Sequence, residues 1–200
     1  MLQFPLRPSL AIAVAIALAG QAFAQTGTVP DFADAVDGHH SVALPFGLPG
    51  FRTQLLIDAQ AIAPTGAVLN AVSFRCDRSS LPATAGSVPN VTVRISQTSA
   101  AVGSMATTFA NNITAAETIV FQGTVTLPAH QDGAAGPMPW DIILPFAQPF
   151  VFATAQGNLL IDIVADNPVG GGIPEYYLDA VQAGGSATQF GLGGPSPTGD

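Results

Sequence analysis

From Phe51 onward, apolar and polar residues alternate in short runs with a period of two, and turn-forming residues separate the runs. The pattern predicts strands over 51–61, 67–76, 90–97, 118–127, 139–145, 149–152, 158–165, 175–182 and 187–192. The connections carry Pro64-Thr65-Gly66, Leu81-Pro82, Gly86 to Pro89, Asp132-Gly133, Gln156-Gly157, Asn167-Pro168 and Gly170-Gly171-Gly172, residues that set turns or stop strands. No segment sustains a 3.6-residue period. SMATTFANNITAAET (104–118) comes nearest, with room for one helical turn. Short strands with two-sided patterning predict an all-β protein, an antiparallel β-sandwich of jelly-roll type.

Faces follow from parity. Val91, Val93 and Ile95 point inward and Thr92, Arg94 and Ser96 outward. Ile119, Phe121, Val125 and Leu127 are assigned to one face, with a bulge or close backbone approach at Gly123. The tetrapeptide LLID occurs in RTQLLIDAQAI (52–62) and in QGNLLIDIVAD (156–166). The match stops where LLID stops, and a duplication should cover a whole supersecondary unit. The copies therefore read as two core strands of one sandwich, with Asp162 sharing a face with Leu160 and Val164. On that reading Ile161→Asp unfolds the domain, and Asp162→Asn leaves it intact unless Asp162 is buried and paired or holds a metal.

The first residues follow another pattern. MLQFPLRPS holds one positive charge, LAIAVAIALAG (10–20) is wholly apolar, and Ala22-Phe23-Ala24 fits a cleavage site. These are the regions of an export signal, and the apolar run is too short for a membrane span of about 20 residues. The chain divides into a leader (1–24), an irregular segment (25–50), the sandwich (51–194) and a linker or truncated junction (195–200). The expectation is a secreted or cell-surface protein with no membrane contact after cleavage.

Charge narrows the partners. The chain has no lysine, five arginines and thirteen acids, a formal net charge of −8. Arg52, Arg75, Arg78 and Arg94 are the basic residues beyond the leader. An acidic, lysine-free surface repels nucleic acid and anionic lipid, whereas neutral polysaccharide or a cell-surface protein fits it. The single cysteine, Cys76, shares a strand face with Val72 and Phe74 and reads as a buried thiol.

Candidate chemistry is sparse. DFADAVDGHH gathers Asp31, Asp34, Asp37, His39 and His40, but its spacing fits neither a calcium loop nor a zinc site, so it reads as a solvated loop. Asp162, Asp166 and Asp179 lie in or near C-terminal strands, where carboxylates and carbonyls can hold a structural calcium ion; no other cofactor is expected. No nucleophile elbow or HExxH is present, and nothing brings Glu117 and Glu175 together as a glycosidase pair, so the chain reads as non-catalytic. Trp140, Tyr176 and Tyr177 are the aromatics with polar handles and the candidate ligand contacts. Trp140 shares a face with Ile142 and Leu144 and favours the core; Tyr177 is the outward tyrosine of its pair. The sequons at Asn90 and Asn112 fit glycosylation.

Two long stretches resemble a known group. VDGHHSVALPFGLPGFRTQLLIDAQAI (36–62) with AVLNAVSFRCDR (67–78) is similar to the opening of a family of exported bacterial proteins of unknown function. PWDIILPFAQPFVFATAQGNLLIDI (139–163) resembles a tryptophan-strand module of secreted bacterial sandwich domains. The motifs are structural, and the resemblance implies the sandwich and no catalytic residues. The resulting expectation is a secreted binding or surface-matrix module with neutral glycan as ligand. Its alternatives are an extracellular assembly protein and, third, a carboxylate-dependent glycoside hydrolase.

Overall fold

The computed structural model describes residues 14–16, 25–27, 29, 34–38, 40–43, 45–47, 50–63, 66–78, 85–130, 136–165, 176–180 and 187–193. Within them the chain is an antiparallel β-sandwich with very little helix. One layer is a five-stranded sheet in the order β11 (Ala187–Gly193), β4 (Phe51–Ile57), β9 (Asn158–Ala165), β6 (Gly86–Thr98), β7 (Thr118–Leu127). In the facing layer β8 (Ile142–Phe152) pairs with β5 (Ala67–Phe74). Just past β5, Cys76 bridges Leu178 of β10 (Leu178–Ala180), which pairs with β3 (His40–Val42). The core between the layers holds Val91, Val93 and Ile95 from β6 and Leu159, Ile161 and Ile163 from β9. It also holds Val72 from β5 and Ile142, Leu144 and Phe152 from β8. Each such fully buried side chain contributes about 1.5–3 kcal/mol.

The two LLID strands are direct neighbours. Leu55, Leu56 and Ile57 pair with Ile161, Leu160 and Leu159. Their aspartates differ completely. Asp58 ends β4 and caps α1 (Ala59–Ile62), its Oδ1 accepting from Gln60 N at 2.7 Å. Asp162 lies in the middle of β9 at 0 % exposure.

Asp162 is on the face that alternation assigned, but that face is not in water. Residues between β6 and β7 cross its outer side, and their 3-10 turn (Phe109–Asn112) buries Phe109 and Asn112 over Gln54. The helical turn expected within 104–118 is this one.

Three strand details depart from expectation. The segments 139–145 and 149–152 are one strand, β8, in which residues 146–149 bulge out between the pairs Ala71↔Pro145 and Leu69↔Phe150. The register of β6 with β7 shifts at Pro89-Asn90, where Asn90 takes φ 55°, and again at Val120. The second bulge turns Val120 into the core and leaves Ile119 44 % exposed, reversing their expected faces; Gly123 itself carries no bulge.

Within the stretch read as a leader, β1 (Val14–Ile16) pairs with β2 (Gln25–Gly27) and lies against β5. Among the described residues, no helix is long and apolar enough to cross a membrane.

Candidate functional site

The chemistry gathers where β5 runs on into residues 75–78 and meets β10 and β3. Backbone bonds fix the junction: Asp77 N donates to Tyr177 O at 2.9 Å and Asp179 N donates to Arg75 O at 3.1 Å. Strand alternation directs Arg75 to the outer side, yet its side chain is 1 % exposed. The segment ahead of β3 covers it. Arg75 Nη2 donates to Val36 O at 2.5 Å and Nε to Asp179 Oδ2 at 2.6 Å, and Nη2 also pairs with Asp179. The guanidinium carbon lies 4.5 Å from the centroid of the Trp140 ring. Gly38 N donates to Asp179 Oδ1 at 2.7 Å, and Ser41 Oγ donates to Asp77 Oδ2. A Cβ on Gly38 would overlap Asp179 Oδ1 and the Ala180 carbonyl, so only glycine lets the chain close this tightly. Of the run read as a solvated loop, residues 36–38 are therefore docked.

That docking brings Asp37 against Asp77 and Asp179. One ligand atom from each of the three carboxylates lies within 4.8 Å of the others. At an effective dielectric of about 20, two like charges at that separation repel by ~3 kcal/mol. Burial first, then Asp179 and Asp77, pushes the Asp37 carboxyl above its ordinary pKa of 3.8. Arg75 is the guanidinium inside the cluster, so three carboxylates share one buried cation.

Hydrogen bonding is incomplete here. Among the described residues six buried side-chain polar atoms have no hydrogen-bond partner, and five belong to this end of the molecule: Asp37 Oδ1, Arg75 Nη1, Trp140 Nε1, Asp141 Oδ1 and His130 Nε2. Each such orphan costs about 1–3 kcal/mol. His130 Nε2 approaches Asp141 Oδ2 only to 3.5 Å, and its ring packs against Tyr176 at 6.3 Å between centroids.

The expected site residues separate on this frame. Asp179 is in the cluster, whereas Asp162 is in the five-stranded sheet with other partners, and Asp166 lies outside the described residues. Tyr176 is fully buried; its hydroxyl donates to Pro128 O at 3.0 Å, and burial, then Cys76, pushes its pKa up. It has no face left for a sugar ring. Tyr177 is half-buried, as expected of the outward member of the pair. Trp140 precedes β8, is half-buried, and carries Arg75 on its ring. Arg75, Asp77 and Ser41 were not singled out from sequence; the signal available was the polar RCD run directly after an apolar strand.

Asp162 belongs to a different network. Arg52 Nη2 donates to its Oδ2 at 2.6 Å and Gln54 Nε2 to the same oxygen at 3.1 Å. Asn112 Nδ2 donates to Gln54 Oε1 at 2.9 Å, and Arg52 stacks on Phe109 at 4.6 Å. Asp162 is buried and paired, the condition under which Asp162→Asn is expected to disturb the fold. The sequons also differ: Asn90 is exposed on its bulge, and Asn112 is 1 % exposed and engaged in this network. Glu117 is exposed just before β7, and Glu175 lies outside the described residues.

Compared with family models, curated proteins and solved structures, the chain matches none.

Proposed function

We propose that this protein is an exported, non-catalytic β-sandwich that builds an extracellular layer or surface matrix through contacts between protein surfaces. The observation that carries the reading is the outer side of β8. Its exposed positions are Ile143, Pro145, Ala147, Gln148, Pro149 and Val151, and no residue of the strand is charged. Ile143 is 58 % and Val151 71 % exposed. Single exposed apolar residues are ordinary, but a continuous uncharged run of this kind marks a contact surface. Beside it, β7 carries no charge and no proline, and among the described residues it pairs only with β6. Sheet edges that must stay single usually carry lysine, proline or an inward charge. The two prolines of β8 disfavour strand addition there, and β7 lies against β8, so β8 offers a face rather than a free edge.

The neutral-glycan reading loses support from the aromatics, because Tyr176 is buried and Arg75 occupies the Trp140 ring. Sedimentation velocity over a concentration series tests the proposal on the purified protein and on Ile143→Lys/Val151→Lys. The wild type should associate with rising concentration and the double variant should stay monomeric. A wild type that is monomeric throughout and saturably binds one neutral sugar class on an array would overturn assembly in favour of a glycan-binding module.

A further inference from the structure

We infer that the outer side of β8 is a self-complementary face on which a second copy of this chain docks, antiparallel, about a two-fold axis at Ala147. The pairing rests on the assembly proposed above and names its contact, its partner and its symmetry. Counted outward from Ala147, the exposed alternate positions repeat in both directions. Pro145 and Pro149 lie two residues away, and the aliphatic Ile143 and Val151 lie four residues away. An isologous contact needs one patch that fits itself, residue i meeting j while j meets i. Rotation about Ala147 meets that condition. It sets each Ile143 against the other copy's Val151, and each Pro145 against the other copy's Pro149. The bulge at 146–149 exposes Ala147, Gln148 and Pro149 together, and the smallest of these side chains falls on the axis.

Charge selects both the partner and its orientation. Two copies of a chain with a net charge of −8 repel each other, and they approach at lowest cost through a face that carries no charge. β8 has none, and the residues paired with its two aliphatic positions, Ser73 opposite Ile143 and Val68 opposite Val151, are uncharged as well. The strip offers a charged partner no counter-charge, and it offers a sugar one polar side chain, Gln148. The acid nearest in sequence is Asp141, whose side chain is 33 % exposed. Rotation about Ala147 carries Asp141 to the level of Ala153, a neutral residue. A two-fold with the strands parallel would instead set Asp141 against its own copy and bring like charges together.

The prolines decide how the copies meet. Pro145 and Pro149 have no N–H for a new ladder, so the contact is face to face and not edge to edge. Their rings and the β-branched Ile143 and Val151 are stiff, and little side-chain freedom is lost when they are covered. One strand with its flanks supplies fewer residues than the roughly 20–30 per side of a standard stable interface, so the pair forms reversibly as concentration rises. An isologous contact is used up by one partner. The pair is therefore the unit from which a layer grows through another surface.

A residue on a two-fold axis meets itself, and a residue off the axis meets a different one. Ala147→Cys, Ile143→Cys and Val151→Cys place single thiols on the strip, and the native Cys76, 1 % exposed, does not compete. Each protein is treated with a short bismaleimide that spans the roughly 10 Å between face-to-face sheets. Ala147→Cys should crosslink to itself. Ile143→Cys alone should not, because its two copies lie roughly 25 Å apart along the strand. Ile143→Cys mixed with a size-tagged Val151→Cys should give the mixed dimer. Self-crosslinking of Ile143→Cys without the mixed dimer would mean parallel strands and would overturn the pairing.

A second set of variants needs no crosslinker. Ala147→Lys or Ala147→Glu brings like charges together on the axis and should weaken association about tenfold in sedimentation velocity. An equimolar mixture of the two should associate again at least as strongly as the wild type. Association that both variants leave unchanged, or that mixing does not restore, would reject the two-fold at Ala147 while assembly through another surface stands. A wild type that is monomeric at every concentration would overturn the assembly itself and this pairing with it.

Discussion

Among the described residues two arginine–aspartate pairs, one with a half-buried and one with a buried guanidinium, each stack on an aromatic ring, and they finish in opposite states. Arg52 pairs with Asp162 and lies 4.6 Å from Phe109; Arg75 pairs with Asp179 and lies 4.5 Å from Trp140. Around Asp162 the groups match: Arg52 and Gln54 donate to it, Asn112 donates to Gln54, and Gln54 donates to Phe109 O at 3.3 Å. Around Asp179 two more carboxylates crowd in, and Asp37 Oδ1 and Arg75 Nη1 are left over. A closed polar network rigidifies a fold, whereas an open one carries the cost of its unpaired groups. Burial of a charged pair alone does not fix how completely it is satisfied; the count of partners does.

Variants on the two networks should therefore separate in size and sign. Asp162→Asn leaves Arg52 short of its counter-charge over a buried sheet face and should destabilise the fold by about 3 kcal/mol or more, read as a shift of the urea midpoint. A silent Asp162→Asn would mean that the first network is as open as the second. Gln54→Ala strips donors and acceptors from Asp162, Asn112 and Phe109 and should cost about 1–3 kcal/mol in the same assay.

Asp37→Asn should act in the other direction. In calcium-free buffer near neutral pH it removes a repelled carboxylate that has no donor to lose on its Oδ1, and it should stabilise by an amount on the order of 1 kcal/mol. The pH dependence follows from the raised folded-state pKa. Ionised Asp37 penalises the wild-type fold above that pKa. As pH falls through it the native state gains its proton first, and below the unfolded value near 3.8 the penalty is gone. The advantage of Asp37→Asn should thus be largest at neutral pH and vanish in acid. Constant-pH urea melts of both proteins check this, and a gap that widens on acidification would contradict it. Smallest of all, Val151→Lys sits on exposed surface away from both networks and should stay within about 0.5 kcal/mol of wild type.

Much of the fold was legible because alternation is a local property. Val91, Val93 and Ile95 face the core as their parity requires, and the two LLID stretches are strands that hydrogen-bond to each other. Local reasoning failed where one residue changed the parity. Val120 bulges, and Ile119 and Val120 exchange faces. The candidate site was legible only in fragments. Asp37, Asp179 and Trp140 drew attention by residue type, but they come from segments more than a hundred residues apart at the extremes, and no spacing rule links them.

The sequence by itself determined that the chain is an antiparallel sandwich with an acidic, lysine-free composition, because strand period and charge are read residue by residue. Tertiary structure alone decided which polar residues on the outer faces are dry. Asp162 is buried because the 3-10 turn with Phe109 and Asn112 lies over β9's neighbour Gln54, and Arg75 is buried where Val36 and Trp140 pack on it. Parity states which side of a sheet a side chain takes. Whether water or another part of the chain waits on that side depends on the path of distant segments, and that path leaves one arginine–aspartate pair fully partnered and the other with orphaned polar atoms beside it.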